Sequence, residues 1–425
     1  MYRRRTLSTI AAGLSAALSL TTLGACGPGS GSGDAALTMV AADYGSGPDD
    51  DSRLYWDRIA RAYEAKHPGI TIDVKVYDWK VVDRKVAEMV AAGDAPDIAQ
   101  IGSYADYVED DRLYSAEEIL NVSAQADFIG SLAEAGEVHQ AQFGLPFVSS
   151  SRMFFYNKDL FRRAGLHRAP RTWDDVRAAA EALKAVGVGV PYGLPLGPEE
   201  AQAEALMWML GNNGGYTNLA GGYTINSVRN IQALQWVKDN LVRPGLTGPT
   251  EPAKTDRQDV FDAFLAGDAG MINGHPTLLA EARRKGIDVG AVPIPGRTGR
   301  VQETLGVADW LLAFRQHGHR DQIGDFLEYV YSPANALAFL DEYGLLPVTT
   351  SASEAMARKK RYKELRPFID QLPTAVFYPA QKTSWGTVAG RLKTSLGKAV
   401  SPDGVPGTVL GRVQQQAEAL DAERE

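Results

Sequence analysis

Reactive side chains are plentiful in this 425-residue chain, but no local pattern arranges them for catalysis. The sequence contains no Gly-x-Ser-x-Gly nucleophile elbow, no His-Glu-x-x-His zinc motif and no phosphate-binding Gly-x-x-x-x-Gly-Lys-Ser/Thr loop. Glycoside hydrolysis needs two carboxylates at a defined separation across one bond, and nothing selects such a pair among the 52 acidic residues. We therefore expect a protein that is not an enzyme, with a secreted enzyme acting on glycans as the weaker alternative.

Two polar clusters could contribute metal ligands. His317-Gly318-His319 lies in a stretch of Arg, Gln and Gly that is typical of an exposed turn. Asp49-Asp50-Asp51 lacks the spaced oxygen ligands of a calcium loop. We interpret both as solvated surface segments, and we expect no metal site and no cofactor.

The N-terminal residues have the pattern of a bacterial export signal. Arg3, Arg4 and Arg5 precede an apolar run of small residues from Leu7 to Ala25. The segment Leu23-Gly24-Ala25-Cys26 resembles the lipobox of bacterial lipoproteins, in which the cysteine is acylated and becomes the first residue. Cys26 is the only cysteine of the chain, so it has no partner for an internal disulfide.

This pattern predicts a signal peptide at 1–25 and a lipidated Cys26. Residues 26–36 have the composition of a flexible linker between the lipid and the folded body. Arg4-Arg5-Thr6-Leu7 also approximates a twin-arginine signal, so export by the general or the twin-arginine route stays open. Beyond Ala25 no stretch approaches the roughly 18 apolar residues that span a bilayer, so we expect a protein anchored to the outer face of the cell membrane.

Charge excludes some partners. The formal net charge is −8. An acidic surface argues against binding to nucleic acid or to anionic lipid headgroups. We expect neither as a partner, and we expect a monomer.

The start of the folded body alternates between strand and helix patterns. Apolar or alternating runs predict strands at Leu37–Ala42, Ile70–Tyr77 and Asp97–Ile101. Helical spacing of apolar residues predicts helices at 54–64 and 81–92. This order predicts an α/β fold with a parallel sheet whose ligand binds at the carboxyl ends of the strands.

Several blocks of sequence then resemble, in the right order, the family 1 extracellular solute-binding proteins, the maltose and multiple-sugar receptors of ABC importers. The resemblance covers roughly residues 37–425. The blocks are Ala92–Ile98, Phe143–Phe147, Met153–Phe161, Ala164–Leu166, Pro170–Asp175, Ala263–Gly274, Ala291–Gly296 and Phe326–Asn335.

The resemblance implies a two-lobed periplasmic-binding-protein-like fold, in which each lobe is a helix-covered, mainly parallel sheet and hinge crossings join the two. We place lobe 1 at 37–148 plus 296–346 and lobe 2 at 149–295 plus 347–425. The expected crossings are Val148–Ser151, Val292–Gly296 and Leu345–Thr349.

The resemblance also implies a function. The protein would bind a sugar or oligosaccharide between closing lobes and deliver it to the membrane permease of an ABC importer. The same fold with a polyamine, a phosphodiester, an iron complex or a peptide as ligand is the alternative.

A sugar site needs aromatic faces for the rings and polar groups for the hydroxyls. The chain has seven Trp and seventeen Tyr. Trp310 follows Gly306–Asp309, where the family has a strand end that faces the cleft, and Trp385 opens a predicted helix. His275 and Pro276 stand where maltose receptors continue towards a stacking tryptophan, which puts maltodextrin itself in doubt. The expected ligand-binding residues are Asp43, Tyr44, Gly102, Ser103, Tyr104, Ser150, Asn273, Gly274, His275, Asp309, Trp310, Trp385 and Arg391.

Overall fold

The computed structural model of the protein describes residues 34–45, 47, 51–299 and 303–423. The predicted signal peptide, Cys26 and most of the linker lie outside these residues. Within the described ranges, no helix combines the length and the apolar character that a membrane span requires.

The strands and helices follow one another along the whole described chain. The strands are β1 (Ala35–Asp43), β2 (Ile70–Asp78), β3 (Ile98–Ile101), β4 (Glu137–Val138), β5 (Ala141–Gln142), β6 (Leu145–Ser151), β7 (Met153–Asn157), β8 (Val190–Tyr192), β9 (Ala269–Gly274), β10 (Val289–Val292) and β11 (Gly306–Ala313). The helices are α1 (Ser52–Glu64), α2 (Val82–Ala91), α3 (Ala105–Glu109), α4 (Ala116–Ile119), α5 (Val122–Asp127), α6 (Gly130–Ala135), α7 (Lys158–Arg163), α8 (Trp173–Ala185), α9 (Ala201–Leu210), α10 (Val228–Val237), α11 (Arg257–Leu265), α12 (Pro276–Arg284), α13 (Arg320–Tyr331), α14 (Pro333–Tyr343), α15 (Thr350–Ala357), α16 (Arg366–Ile369), α17 (Trp385–Ala399) and α18 (Pro406–Ala422). Short 3-10 turns occur at Pro252–Lys254, Lys360–Tyr362 and Leu372–Thr374, and a π-helical turn at Lys238–Val242.

The first sheet has the order β2-β1-β3-β11-β6. β1 is parallel to β2 and β3, as the alternating strand and helix patterns predict. β11 is antiparallel to both β3 and β6. α1 covers this sheet with Tyr55, Trp56, Ile59 and Tyr63, which share one buried helical face.

The second sheet has the order β10-β7-β9-β8. β9 is buried along its whole length and pairs parallel with β8 and antiparallel with β7. α8, which packs beside this sheet, begins at a capping box in which Thr172 and Asp175 satisfy each other's backbone N–H groups.

The two-sheet α/β architecture is confirmed, whereas both sheets are mixed and not mainly parallel. The reason is that β6, β7 and β11 carry the chain between the sheets. β6 ends at Ser151 and β7 begins at Met153, so the chain changes sheets at Arg152 and each strand runs against its neighbours. This position agrees with the expected crossing at Val148–Ser151.

The chain still contacts the first sheet beyond the expected crossing at Leu345–Thr349. Leu346 pairs with Ser149 of β6, and the following segment stays with the first sheet, where Ser151 Oγ donates to the carbonyl of Phe368 over 3.1 Å. Further along the chain, α17 packs against α9 and α18 packs against α10, so both lie beside the second sheet's helices. We therefore propose a last crossing near 375–384 in place of Leu345–Thr349, and the lobe boundaries themselves stay predictions.

Candidate functional site

A cavity of about 650 Å³ lies between the two sheets and is lined from both. Its volume falls within the range of about 300–1,000 Å³ that is typical of small-molecule sites. The lining residues are Trp79, Ser150, Val307, Asp309 and Leu345 from the first sheet and its loops, Arg152 from the crossing, and Glu199, Glu200, Gln202, Arg257, His275, Thr277 and Lys393 from the second sheet and its helices. Three of the predicted residues, Ser150, His275 and Asp309, therefore meet here.

Other cavities in the described chain have similar volumes. One of about 720 Å³ lies beside α3 and Gln381–Thr383, and one of about 570 Å³ lies beside α9 and the loop that follows it. Neither is lined by any residue that the sequence predicts for the site. We therefore take the cavity between the sheets as the candidate site.

The first-sheet wall is organised around Asp309. The hydroxyl of Tyr44 donates to Asp309 Oδ2 over 2.5 Å, and Gln100 Nε2 donates to the Tyr44 oxygen over 2.8 Å. These residues come from β11, from the end of β1 and from β3. Burial raises the pKa of Asp309 to about 6, although the hydrogen bond from Tyr44 lowers it. At neutral pH Asp309 is therefore mainly a carboxylate that can accept hydrogen bonds from hydroxyl groups.

The second-sheet wall carries a chain of ion pairs. Arg152 is 7% exposed and donates to Glu200 Oε1 over 2.9 Å. Arg257 Nε lies 2.8 Å from Glu200 Oε2, and Arg257 Nη2 donates to Glu199 Oε1 over 2.7 Å. Each arginine is thus compensated by a glutamate, which fixes the orientation of both guanidinium groups.

His275 completes this wall as a neutral imidazole. Burial lowers its pKa well below the ordinary value, and the charges of Arg152 and Arg257 lower it further. Arg257 Nη1 lies 3.0 Å from His275 Nε2, and Thr277 Oγ1 lies 2.7 Å from Nδ1. Because a guanidinium only donates, Nε2 is the acceptor and Nδ1 carries the proton.

The charges around the cavity are balanced. Arg152, Arg257 and Lys393 are cationic, and Glu199, Glu200 and Asp309 are anionic; all six line the cavity. Such a site offers many fixed hydrogen-bonding groups without a net charge.

Trp79 is the aromatic residue of the cavity lining and was missed in the sequence. It follows β2 just as Tyr44 follows β1, and the two rings meet edge to face with centroids 5.5 Å apart. The rule that ligands bind at the carboxyl ends of parallel strands could have identified Trp79.

Tyr104 and Trp310 lie in the core of the first sheet's layer and do not line the cavity. Tyr104 is fully buried and Trp310 is 3% exposed. Their rings pack edge to face at 5.5 Å, and the Tyr104 hydroxyl donates to the carbonyl of Ala135 over 2.6 Å. Their predicted ligand contacts stay predictions.

Asn273 and Trp385 lie behind the second-sheet wall. Asn273 Nδ2 donates to Glu204 Oε1 over 3.1 Å. Trp385 packs against Tyr216 and stacks on Tyr378, with centroids 5.6 and 5.4 Å away. Neither residue lines the cavity, and their predicted ligand contacts stay predictions.

The remaining predicted residues lie outside the lining. Asp43 Oδ1 accepts from the backbone N–H groups of Gly45 and Ser52 and so shapes the loop after β1. Gly102 and Ser103 are exposed, Gly274 is buried in β9, and Arg391 is half-buried on α17. Any contact that they make with a ligand stays a prediction.

The histidines at 317 and 319 are anchored and not simply solvated. Both Nδ1 atoms approach Asp97 Oδ1, at 3.4 Å for His317 and 2.9 Å for His319. Within the described ranges no group of three or more His, Cys, Asp or Glu side chains is placed to hold a metal ion.

Comparison with known sequences gives a consistent match. A family model described as bacterial extracellular solute-binding protein matches residues 48–337. A protein of Brucella abortus named only as a binding protein is 26% identical over 421 residues, which are 96% of this chain and 98% of that protein. The sn-glycerol-3-phosphate-binding periplasmic protein of the same species is 27% identical over 257 residues, 55% of each chain.

Solved structures share the fold. The sugar-binding protein MalE of Xanthomonas citri has a TM-score of 0.76 at 20% identity, over 92% of this chain and 98% of that chain. The cyclic alpha-maltosyl-1,6-maltose binding protein of Arthrobacter globiformis has a TM-score of 0.75 at 18% identity, over 91% and 99%. A solute-binding protein of Thermotoga lettingae bound with alpha-D-tagatose has a TM-score of 0.74 at 18% identity, over 90% and 99%.

Proposed function

We propose that this chain, which belongs to the family of bacterial extracellular solute-binding proteins, binds a neutral sugar or oligosaccharide in the cavity between its sheets. The family consists of ABC-transporter binding proteins and not of enzymes. In this proposal the chain delivers its sugar to the membrane permease of an ABC importer.

The observation that carries the proposal is the charge-balanced, densely polar cavity. Sugar hydroxyls both donate and accept hydrogen bonds, so they need carboxylates and cations together. Asp309 and Ser150 supply such groups from the first sheet, and Glu200, Arg257 and Lys393 supply them from the second. Trp79 adds an aromatic side chain for the apolar surface of a ring.

A phosphorylated polyol is the second candidate. The matching sn-glycerol-3-phosphate-binding protein favours it, and so do the three cations of the lining. Against it, Glu200 and Glu199 already compensate Arg152 and Arg257, which leaves no surplus positive charge for a phosphate. A neutral carbohydrate therefore fits the cavity better, and the same balance disfavours a polyamine.

A thermal-shift panel separates these candidates. The probes are D-glucose, D-tagatose, maltose and sn-glycerol 3-phosphate, each added to the purified protein. A probe at 100 times its dissociation constant adds about 2.7 kcal/mol to the free energy of unfolding. Stabilisation by a sugar supports the proposal, whereas stabilisation by sn-glycerol 3-phosphate alone replaces it with the second candidate.

We also propose that the protein is a lipoprotein. The export pattern and the lipobox-like segment before Cys26 support a diacylglycerol anchor on the outer face of the membrane. The Gly- and Ser-rich residues 27–36 would then form a flexible tether between the lipid and the folded body. Such a tether would allow the folded body to reach a permease.

Hinge closure is the proposed binding mechanism. Because the lining comes from both sheets, a sugar bound there contacts both layers at once. A ligand shifts a conformational equilibrium only through its different affinities for the two states. Contacts made from both sides therefore favour the closed arrangement.

A further inference from the structure

A line of three hydrogen-bonded side chains runs along the second-sheet wall of the cavity. Arg257 Nη1 lies 3.0 Å from His275 Nε2, and His275 Nδ1 lies 2.7 Å from Thr277 Oγ1. All three residues line the cavity. Arg257 is the first residue of α11, His275 directly precedes α12, and Thr277 is the second residue of α12. The line therefore joins the starts of two helices and ends at Thr277.

The direction of each hydrogen bond in this line follows from its first member. A guanidinium can only donate, so Nε2 of the neutral His275 ring accepts. The ring then carries its proton on Nδ1, and this N–H donates to Thr277 Oγ1. A hydroxyl oxygen that accepts such a bond keeps its own hydrogen for a different acceptor.

The hydroxyl hydrogen of Thr277 meets no such acceptor within the part of the chain that the structure describes. There, the hydrogen-bond partner of Thr277 Oγ1 is the His275 nitrogen alone, and that nitrogen is already the donor. Thr277 is half-buried and borders the cavity. Its hydroxyl hydrogen is therefore available to a ligand.

Packing holds the first two members of the line in this arrangement. The buried Phe261 ring meets the His275 ring with centroids 5.0 Å apart and planes 62° apart. The guanidinium carbon of Arg257 lies 5.2 Å from the centre of the same Phe261 ring, and Arg257 Nη2 donates to Glu199 Oε1 over 2.7 Å. These contacts fix the direction of the hydrogen bonds before a ligand arrives.

We propose that Thr277 is a specificity-determining residue that donates a hydrogen bond to an acceptor oxygen of the bound sugar. Arg257 and His275 are positioning residues that reserve the Thr277 hydrogen for this bond. The inference rests on the proposed function and adds to it the chemistry of one contact, since a hydroxyl, ring or glycosidic oxygen accepts there. Asp309 on the first-sheet wall, as a carboxylate, can only accept. The sugar is thus oriented with a donating hydroxyl towards β11 and an accepting oxygen towards α12.

The affinity test compares Thr277→Val and Thr277→Ser with the unaltered protein. Valine keeps the branched shape of threonine but lacks the hydroxyl, whereas serine keeps the hydroxyl. Calorimetric affinity for whichever of D-glucose, D-tagatose and maltose binds the unaltered protein should fall about three- to tenfold in Thr277→Val. Thr277→Ser should recover most of this loss. The matched control is Thr408→Val, the same change at an exposed position in the first turn of α18.

A second background separates a sugar contact from an effect through the imidazole. Valine at position 277 also removes the acceptor of the His275 N–H, so the same change is made in a His275→Leu protein, in which that N–H is absent. A direct contact predicts that Thr277→Val lowers sugar affinity in this background too. No further loss there would show that Thr277 acts only through His275 and would overturn its role at the ligand.

The direction of the hydrogen bonds is measured without sugar. Nitrogen-15 NMR distinguishes the protonated from the unprotonated nitrogen of a histidine ring, and the His275 signals are identified by their loss in His275→Leu. We expect the proton on Nδ1 in the unaltered protein. In Arg257→Met the donor that fixes this tautomer is gone, so the Nε2-protonated tautomer should gain population.

Three results would overturn the inference. A proton on Nε2 in the sugar-free, unaltered protein would reverse the line of hydrogen bonds. Unchanged sugar affinity in Thr277→Val would remove Thr277 from the site, and an equal loss in Thr277→Ser would show that the methyl group is needed and not the hydroxyl. If none of the three sugars binds, the proposed function fails, while the tautomer still decides whether the hydroxyl hydrogen of Thr277 is free.

Discussion

The Tyr44 hydroxyl lies 2.5 Å from Asp309 Oδ2 and so joins the loop after β1 to β11. The two strands are not neighbours, because β3 lies between them. Gln100 of β3 donates to the same Tyr44 oxygen over 2.8 Å, so three strands fix one carboxylate at the cavity wall. A carboxylate held in this way keeps its orientation before any ligand arrives, which reduces the entropy cost of binding.

Arg257 should matter more than other arginines of similar exposure. It contacts Glu199, Glu200 and His275. In Arg257→Met, each of the two glutamates therefore loses one cationic partner. These groups are partly exposed, and we expect a loss of about 1–3 kcal/mol in unfolding free energy together with weaker sugar binding. Chemical denaturation and calorimetry measure both.

Arg243→Met is the control for this variant. Arg243 pairs with Asp239 on an exposed helical surface, and such pairs contribute about 0–1 kcal/mol. A loss of stability in Arg257→Met no larger than that in Arg243→Met would contradict the role of Arg257 in the wall.

Glu204 should make the protein less stable as the pH rises. Burial raises the pKa of Glu204 to about 7, although hydrogen bonds from Tyr192, Trp208 and Asn273 lower it. Because the folded state then binds a proton that the unfolded state has lost, stability falls between about pH 4.5 and 7. The size of the effect is about 3 kcal/mol.

Glu204→Gln should flatten this dependence, as measured by denaturation at a series of pH values. Burial also raises the pKa of Asp309, to about 6. The unfolding free energy of the variant should therefore still decrease with rising pH below pH 6, but less steeply. Equal slopes in the variant and the unaltered protein above pH 6 would show that Glu204 is ionised throughout.

Cys26→Ser should release the protein from the membrane. The acyl chains on Cys26 are the proposed anchor, and a serine cannot take their place. Fractionation of cells into membrane and soluble material, followed by a high-salt wash, measures the outcome. Retention of the variant in the washed membrane fraction would contradict lipid anchoring.

Sugar binding should make the protein more compact. For a globular chain of this length the radius of gyration is about 22 Å, and closure of the two sheets on a sugar should decrease it. Solution scattering with and without the stabilising sugar measures the change. An equal radius in both conditions would contradict closure as the binding mechanism.

Local patterns predicted much of the first sheet. The alternation at Ile70–Tyr77 and the order of strands and helices gave the parallel arrangement of β1, β2 and β3. These features depend on residues that are close in sequence.

The charged wall of the cavity could not be predicted in this way. Arg152 meets Glu200 across 48 positions, and Arg257 meets Glu199 across 58. Such pairs produce no local pattern in the sequence, and each of these residues taken alone resembles an ordinary charged surface residue.

Asp309 and Trp310 show a second limit. Both were expected at the ligand, but adjacent residues of a strand point to opposite faces. Asp309 lines the cavity, while Trp310 packs into the core against Tyr104. The resemblance placed a strand end here, whereas Asp309 and Trp310 lie in the middle of β11, and it did not show which of the two side chains faces the cavity.

The most direct test of the proposed function is a calorimetric titration of D-glucose, D-tagatose and maltose into the unaltered protein and into Asp309→Asn. The amide keeps the shape of the side chain but loses the charge that accepts sugar hydroxyls. We predict that at least one sugar binds the unaltered protein and that its affinity falls tenfold or more in the variant, since hydrogen bonds to charged groups contribute about 1.5–3 kcal/mol. Equal affinity in both proteins, or binding of sn-glycerol 3-phosphate but of none of the sugars, would contradict a neutral sugar bound against Asp309.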